Sequence, residues 1–130
     1  MRVLLDTNVV LWLADDPTTL RRDTIDLLTA DTTTLVLSAV VPWEIAIKWR
    51  SGKLSLPEHP RDWVQRLARE FGVQTLAVTQ SHVTEVADLP DHHRDPFDRL
   101  LIAQAQVERH PVVTADEVFA RYGIEVVPAR

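Results

Sequence analysis

Val3-Leu4-Leu5-Asp6 is a short apolar run that stops on a carboxylate, and Asn8 to Ala14 then takes up a helical pattern. The same unit, a strand handing over to a helix, recurs along the chain. Leu20 to Leu28 reads as a second helix, and Thr34-Leu-Val-Leu-Ser38 as a buried strand. Ser38 is a natural N-cap for a helix reaching about Arg50, which Ser51-Gly52 stops. Pro42 is awkward as a fourth helical residue, because it removes a donor and crowds the preceding turn, so the regular helix is expected to start nearer Pro42.

Further on, His59-Pro60 to Phe71 is amphipathic, with Trp63, Leu67 and Phe71 at four-residue spacing, and Gly72 closes it. Val73 to Val78 is the next expected strand. Thr79 to Leu89 is a helix that Pro90 ends, and Asp91-His-His-Arg94 is a polar loop. Asp95 as cap and Pro96 as first residue open a helix to about Arg109. Pro111-Val-Val-Thr114 is a strand, Asp116 to Tyr122 a final helix ended by Gly123, and Glu125-Val-Val127 a last strand. Strands alternating with helices imply an α/β fold with a parallel sheet covered on both faces. No repeat or linker divides the chain, so 1–130 is read as a single domain.

Composition narrows the function. Cysteine is absent, which excludes disulfides and thiolate metal sites and suits a reducing cytoplasm, so a cytoplasmic location is expected and any metal must sit on oxygen or imidazole. The apolar stretches fall far short of the roughly 20 residues of a membrane span, and no membrane association is expected. Asp6 interrupts the N-terminal apolar run before it can serve as a signal-peptide core, so the chain is expected to begin at Met1. A net charge of −5 argues against holding nucleic acid by bulk electrostatics alone, although cations bound to a carboxylate cluster would offset part of it.

The acids are placed by the topology. Asp6 follows the first strand, Asp116 follows the Val112-Val113 strand, and Glu44 rides the helix after the second. In open α/β sheets the crevice beyond the strands' carboxyl ends, where strand order reverses, is the usual ligand site. Asp98 shares a helix face with Leu101, Ile102 and Ala105, and Glu44 lies among Trp43, Ile45, Ala46, Ile47 and Trp49, where a charge wants a partner. Four crowded carboxylates repel one another unless a divalent cation binds, and such a cation suits phosphodiester hydrolysis.

The sequence resembles PIN-domain ribonucleases, and more narrowly the toxin arm of VapBC-type toxin–antitoxin systems. The resemblance runs nearly end to end. It is carried by Leu5-Asp6-Thr7-Asn8, Ser38-Ala39, Trp43-Glu44-Ile45-Ala46-Ile47-Lys48, Lys53-Leu54, the stretch His92-His93-Arg94-Asp95-Pro96-Phe97-Asp98-Arg99-Leu100-Leu101-Ile102-Ala103-Gln104-Ala105, and Val113-Thr114-Ala115-Asp116 with Phe119 and Tyr122-Gly123. It implies a PIN-like three-layer α/β/α fold with a central parallel sheet of about five strands. It also implies an endoribonuclease using one or two Mg²⁺ or Mn²⁺ ions, a homodimer, and a small cognate antitoxin. The family's acidic centre falls on Asp6, Glu44, Asp98 and Asp116, with Asn8, Thr114 and Asp95 as supporting neighbours. Pro42 departs from the pattern, since the helix carrying Glu44 more usually lacks proline.

Each acid taken singly has an ordinary explanation. Asp6, Asp98 and Asp116 lie at helix starts, where caps and the helix dipole favour them, and Asp95-Pro-Phe-Asp98 and Thr114-Ala-Asp-Glu117 resemble capping boxes. Glu44 can pair with Lys48 at i,i+4. Taken together they favour a site. Adjacent His92 and His93 in a polar loop point different ways and read as surface residues. Trp12, Trp43, Trp49 and Trp63 read as core or dimer contacts, and Lys48, Arg50, Lys53, Arg94 and Arg99 as candidates for phosphate contacts. Two rivals are a phosphatase using Asp6 as nucleophile, which Asn8 discourages where a second acid is wanted, and a non-catalytic module that kept the PIN fold.

Overall fold

In the computed structural model, which describes residues 1–130, β1 (Arg2–Leu5) leads into α1 (Thr7–Asp15), a 3-10 turn and α2 (Arg22–Thr29). β2 (Thr34–Ser38), α3 (Val40–Arg50), α4 (Pro60–Phe71), β3 (Gln74–Leu76) and α5 (Gln80–Glu85) follow. A 3-10 turn then leads to α6 (Pro96–Glu108), β4 (Val112–Thr114), a 3-10 helix over Glu117–Tyr122 and β5 (Val126–Pro128). The five strands pair in parallel in the order β3-β2-β1-β4-β5.

Alternation along the strands divides the interior into two cores. Val3, Leu5, Leu35, Leu37 and Val113 face one way and pack with Val9, Val41, Ile45, Trp63 and Leu67. Leu4, Val36 and Val112 face the other way and pack with Leu101, Ile102, Phe119 and Tyr122. A strand buried on both faces must be apolar at every position, which is why Val3-Leu4-Leu5 shows no polar alternation. The result is the three-layer α/β/α arrangement with a five-stranded parallel sheet.

β1 lies in the middle of this sheet. The chain moves outward from it to β2 and β3, then crosses back to β4 on its other side. The segments leaving β1 and β4 therefore diverge and open a crevice above their carboxyl ends.

Four features differ from the sequence expectation, the first being the Thr79 to Leu89 helix, whose α-helical part ends at Glu85 and tightens into a 3-10 turn over Val86–Asp88. α3 starts at Val40 rather than near Pro42, because the Ser38 hydroxyl accepts the Val40 N–H at 3.1 Å and Pro42 falls within the first turn, where an N–H has no helical partner to lose. Glu44 thus keeps a regular helical placement. β3 stops at Leu76 instead of Val78, since its neighbour β2 ends at the paired Ser38 and turns into α3. The segment after Asp116 is a tight 3-10 helix throughout. No helix is long and apolar enough to cross a membrane.

Candidate active site

Asp6 is the residue where β1 becomes α1. Its carboxylate caps the helix, with Oδ1 accepting the Thr7 N–H at 2.7 Å and Oδ2 accepting the Thr114 hydroxyl at 2.7 Å. Thr114 ends β4 and also accepts the N–H of Asp116 at 3.0 Å, so one hydroxyl ties the two strand-end acids together. Asp116 in turn accepts the Val118 N–H at 3.0 Å. Capping and convergence coexist in these residues: a carboxylate at a parallel strand's end caps the next helix and faces the crevice at once.

Glu44 is buried in α3. Oε1 accepts the Thr7 hydroxyl at 2.6 Å, and Oε2 is paired with the Lys48 ammonium. That bond to Glu44 raises the Lys48 pKa above its ordinary range. Asp95 caps α6 by accepting the N–H groups of Phe97 at 2.8 Å and Asp98 at 3.2 Å. Asp6, Glu44, Asp95, Asp98 and Asp116 all line one cleft of about 390 Å³.

Crowding is expressed in the pKa values. Asp98 is pushed from an ordinary 3.8 up to about 7, first by burial, then by the charges of Asp6 and Asp95, with His93 opposing and Glu44 adding. Asp6 is also raised, chiefly by burial, against the pull of its bonds from Thr114 and Thr7. Ionised together, these five acids outnumber the cations that line the cleft, Lys48, which is paired with Glu44, and Arg130.

The supporting residues are distributed differently from the sequence reading. Thr114 and Asp95 lie against the acids, whereas Asn8 is exposed at the cleft and makes no hydrogen bond to them. Thr7, one residue earlier, makes those bonds instead. Among the basic candidates, Lys48 lines the cleft, while Arg50 faces a separate hollow beside Trp49 and Pro60. Lys53 and Arg94 are exposed. Arg99 is not available to a phosphate: its guanidinium donates to the carbonyls of Pro90, His93, Val86 and Leu89 and is mostly buried. It pins the loop before α6.

Besides Thr7, two residues in the site escaped the sequence reading. Arg130 lines the cleft and lies 4.8 Å over the Trp12 ring, a placement that follows only from the return of β5 beside β4. His93, read as a surface residue, turns inward. Its Nε2 lies 2.8 Å from Asp116 Oδ2 and 2.9 Å from Asp98 Oδ2, while His92 stays exposed against Tyr122. His93, Asp98 and Asp116 bring a ring nitrogen and two carboxylates within 4.8 Å of one another, so a cation held by the two acids would lie beside the imidazole.

A model of the PIN domain matches residues 3–125 of the sequence. The chain belongs to the PIN domain family. A search of curated proteins found no match. Among solved structures, this PIN domain is similar to a chain of VapBC2 from Rickettsia felis, bound there to a promoter DNA fragment, with TM-score 0.76, 16% identity and full coverage of both chains. It is similar to DNA-bound VapBC from Salmonella typhimurium, at TM-score 0.67 and 17% identity, and to VapBC-1 from nontypeable Haemophilus influenzae, at TM-score 0.67 and 13% identity, each over 98% of both chains. At these identities the likeness is one of fold. In this PIN domain Asp6 and Asp116 lie at the ends of β1 and β4, where its own strand order reverses, and Glu44 from α3 and Asp98 from α6 meet them in the same cleft.

Proposed function

We propose that this PIN domain is a metal-dependent endoribonuclease and acts as the VapC-like toxin of a toxin–antitoxin pair. The observation that carries the reading is the convergence of Asp6, Glu44, Asp98 and Asp116 on one cleft, with the Asp98 carboxyl driven to about 7 by burial first and by the neighbouring carboxylates second. A cluster this frustrated suits a divalent cation, and a donor set rich in carboxylate oxygen and lacking sulfur favours Mg²⁺ or Mn²⁺. The residues present therefore fit such an ion. Asp6, Glu44, Asp98 and Asp116 would hold one or two of them.

When bound, the cation supplies Lewis-acid assistance to phosphodiester hydrolysis. The protein's own groups prepare the site. Thr7 and Thr114 fix the orientation of Glu44 and Asp6, and Lys48 keeps positive charge at the rim of the cleft. The exposed Arg94, Arg50 and Lys53 are assigned to the RNA backbone, and Lys48 would join them only by sharing its charge with Glu44.

The antitoxin partner is supported by the similar structures, which are named as VapBC complexes. A homodimer is supported by Trp43 and Ile47, which leave large apolar side chains exposed on α3, with Phe97 packed edge-on against Trp43 at 4.6 Å. The protein is assigned to the cytoplasm on the absence of cysteine.

The test is cleavage of total RNA by antitoxin-free protein in Mg²⁺ or Mn²⁺ against EDTA, with Asp98→Asn alongside and the new RNA ends mapped. Discrete metal-dependent cuts lost in the variant are expected. Folded protein that binds divalent ions and cuts no RNA would overturn the nuclease reading in favour of a binding module.

A further inference from the structure

His93 is held more tightly than any role on a polar loop requires. Its backbone N–H donates to the Tyr122 hydroxyl at 2.6 Å, its carbonyl accepts from Arg99 at 3.3 Å, and its ring meets Phe119 edge-on at 6.0 Å. Four separate partners thus aim one imidazole at Asp98 and Asp116. The fourth contact decides its chemistry.

His93 Nδ1 accepts the backbone N–H of Asp95 at 3.1 Å. That N–H belongs to the cap of α6 and cannot be withdrawn without disturbing the helix start. A ring nitrogen accepting a hydrogen bond carries no proton, so the neutral ring must carry its proton on Nε2, as inferred from the hydrogen-bond pattern. Nε2 is then a donor, and it faces carboxylate oxygens at 2.8 Å and 2.9 Å.

Metal-ligating histidines show the opposite arrangement. They bind through one nitrogen and donate the other N–H to a carboxylate or carbonyl. Were Nε2 to bind a cation, Nδ1 would carry the proton and confront the Asp95 N–H, donor against donor. Turning the ring over would place carbons at both positions and lose both contacts.

We propose that His93 is a positioning residue: its Nε2–H draws the carboxylates of Asp116 and Asp98 together, and the ring is not itself a ligand of the cation. This rests on the metal-dependent reading above. It gives the His93-Arg94-Asp95-Pro96-Phe97-Asp98-Arg99 stretch a physical logic, in which Asp95 fixes the tautomer, Arg99 fixes the loop and Asp98 receives the result.

The test uses Mn²⁺ as probe on the antitoxin-free protein, with affinity read by EPR titration and direct ring-nitrogen coordination by pulsed EPR. Bound Mn²⁺ without a coupling to a directly bound ring nitrogen is expected. His93→Ala should weaken Mn²⁺ binding about 10- to 100-fold, as loss of a partner to metal ligands does. His93→Gln, which keeps an N–H donor near the Nε2 position, should recover most of that loss. A directly bound nitrogen that disappears in His93→Gln, or His93→Ala binding as tightly as the wild type, would overturn the proposal. Nitrogen NMR of metal-free protein, with His93 assigned by its loss in the variant, should show the Nε2–H tautomer, and the Nδ1–H form would overturn the proposal as well. Wild-type protein that binds no Mn²⁺ would instead sink the metal reading, and the NMR result would still judge the tautomer.

Discussion

Ser38, Gln104, His82 and Glu108 form a second polar cluster, between β2, α5 and α6, and the two clusters are solved in opposite ways. Ser38, Gln104 and His82 are almost wholly buried, yet each polar atom has a partner. Gln104 accepts from the Ser38 hydroxyl and donates toward Ala77 and His82, while His82 accepts the Thr79 N–H at 3.0 Å and meets Glu108 at 3.0 Å. Every polar side-chain atom is paired, with the Thr79 N–H and Gln104 sharing His82 Nδ1, and the network ties β2 to α5 and α6. At the ends of β1 and β4, acceptors outnumber donors and like charges face one another. A satisfied network is structural scaffolding, whereas one left short of positive charge awaits a ligand.

The largest effect should come from removing a carboxylate in the frustrated cluster. Asp98→Asn is expected to lower RNA cleavage at least about 100-fold, measured on a defined RNA fragment at saturating Mg²⁺. The same change relieves repulsion in the metal-free protein, so its Tm should not fall. A substitution that cost stability there as well would place Asp98 in the first kind of cluster.

Gln104→Leu should do the reverse. It takes away the acceptor of the buried Ser38 hydroxyl in a dry interior, while His82 keeps Thr79 and Glu108, a cost of about 1–3 kcal/mol, and Tm should drop by on the order of 5–10 °C. Metal affinity of the folded protein should stay the same. A change confined to metal affinity would show that the two clusters are coupled.

Thr114→Val should fall between these cases. Asp6 loses the hydroxyl that orients it, and Mn²⁺ affinity should weaken by about tenfold or more with the fold intact, as followed by calorimetric titration. An affinity within a factor of two of wild type would mean that the Thr7 N–H alone orients Asp6.

The smallest effect is the pH dependence of metal-free stability. Folded, Asp98 keeps its proton up to about 7, whereas its ordinary value is 3.8. Between those values the folded state binds the extra proton, so this group's contribution to stability declines as pH rises through the window and is fully lost above about 7. The wild-type Tm should therefore fall between pH 6 and pH 8 relative to that of Asp98→Asn, and saturating Mg²⁺ should remove the difference. Parallel pH profiles for the two metal-free proteins would show that Asp98 is ionised throughout.

The alternation of apolar runs with helical patterns, and the acids at the ends of those runs, were determined by the sequence itself. Strand burial demands continuous apolar residues, and parallel connections bring strand ends to one edge, so Asp6, Glu44, Asp98 and Asp116 were legible as a group before any coordinates. Helix caps at Asp95 and Gly72 were equally local matters of backbone conformation. Only the tertiary structure decided which of two adjacent histidines turns inward, that Thr7 rather than Asn8 supports Glu44, that Arg99 is committed to backbone carbonyls, and that Arg130 reaches the cleft. Each of these depends on where a side chain's partner, often many residues distant, comes to rest, and no periodicity along the chain encodes that position.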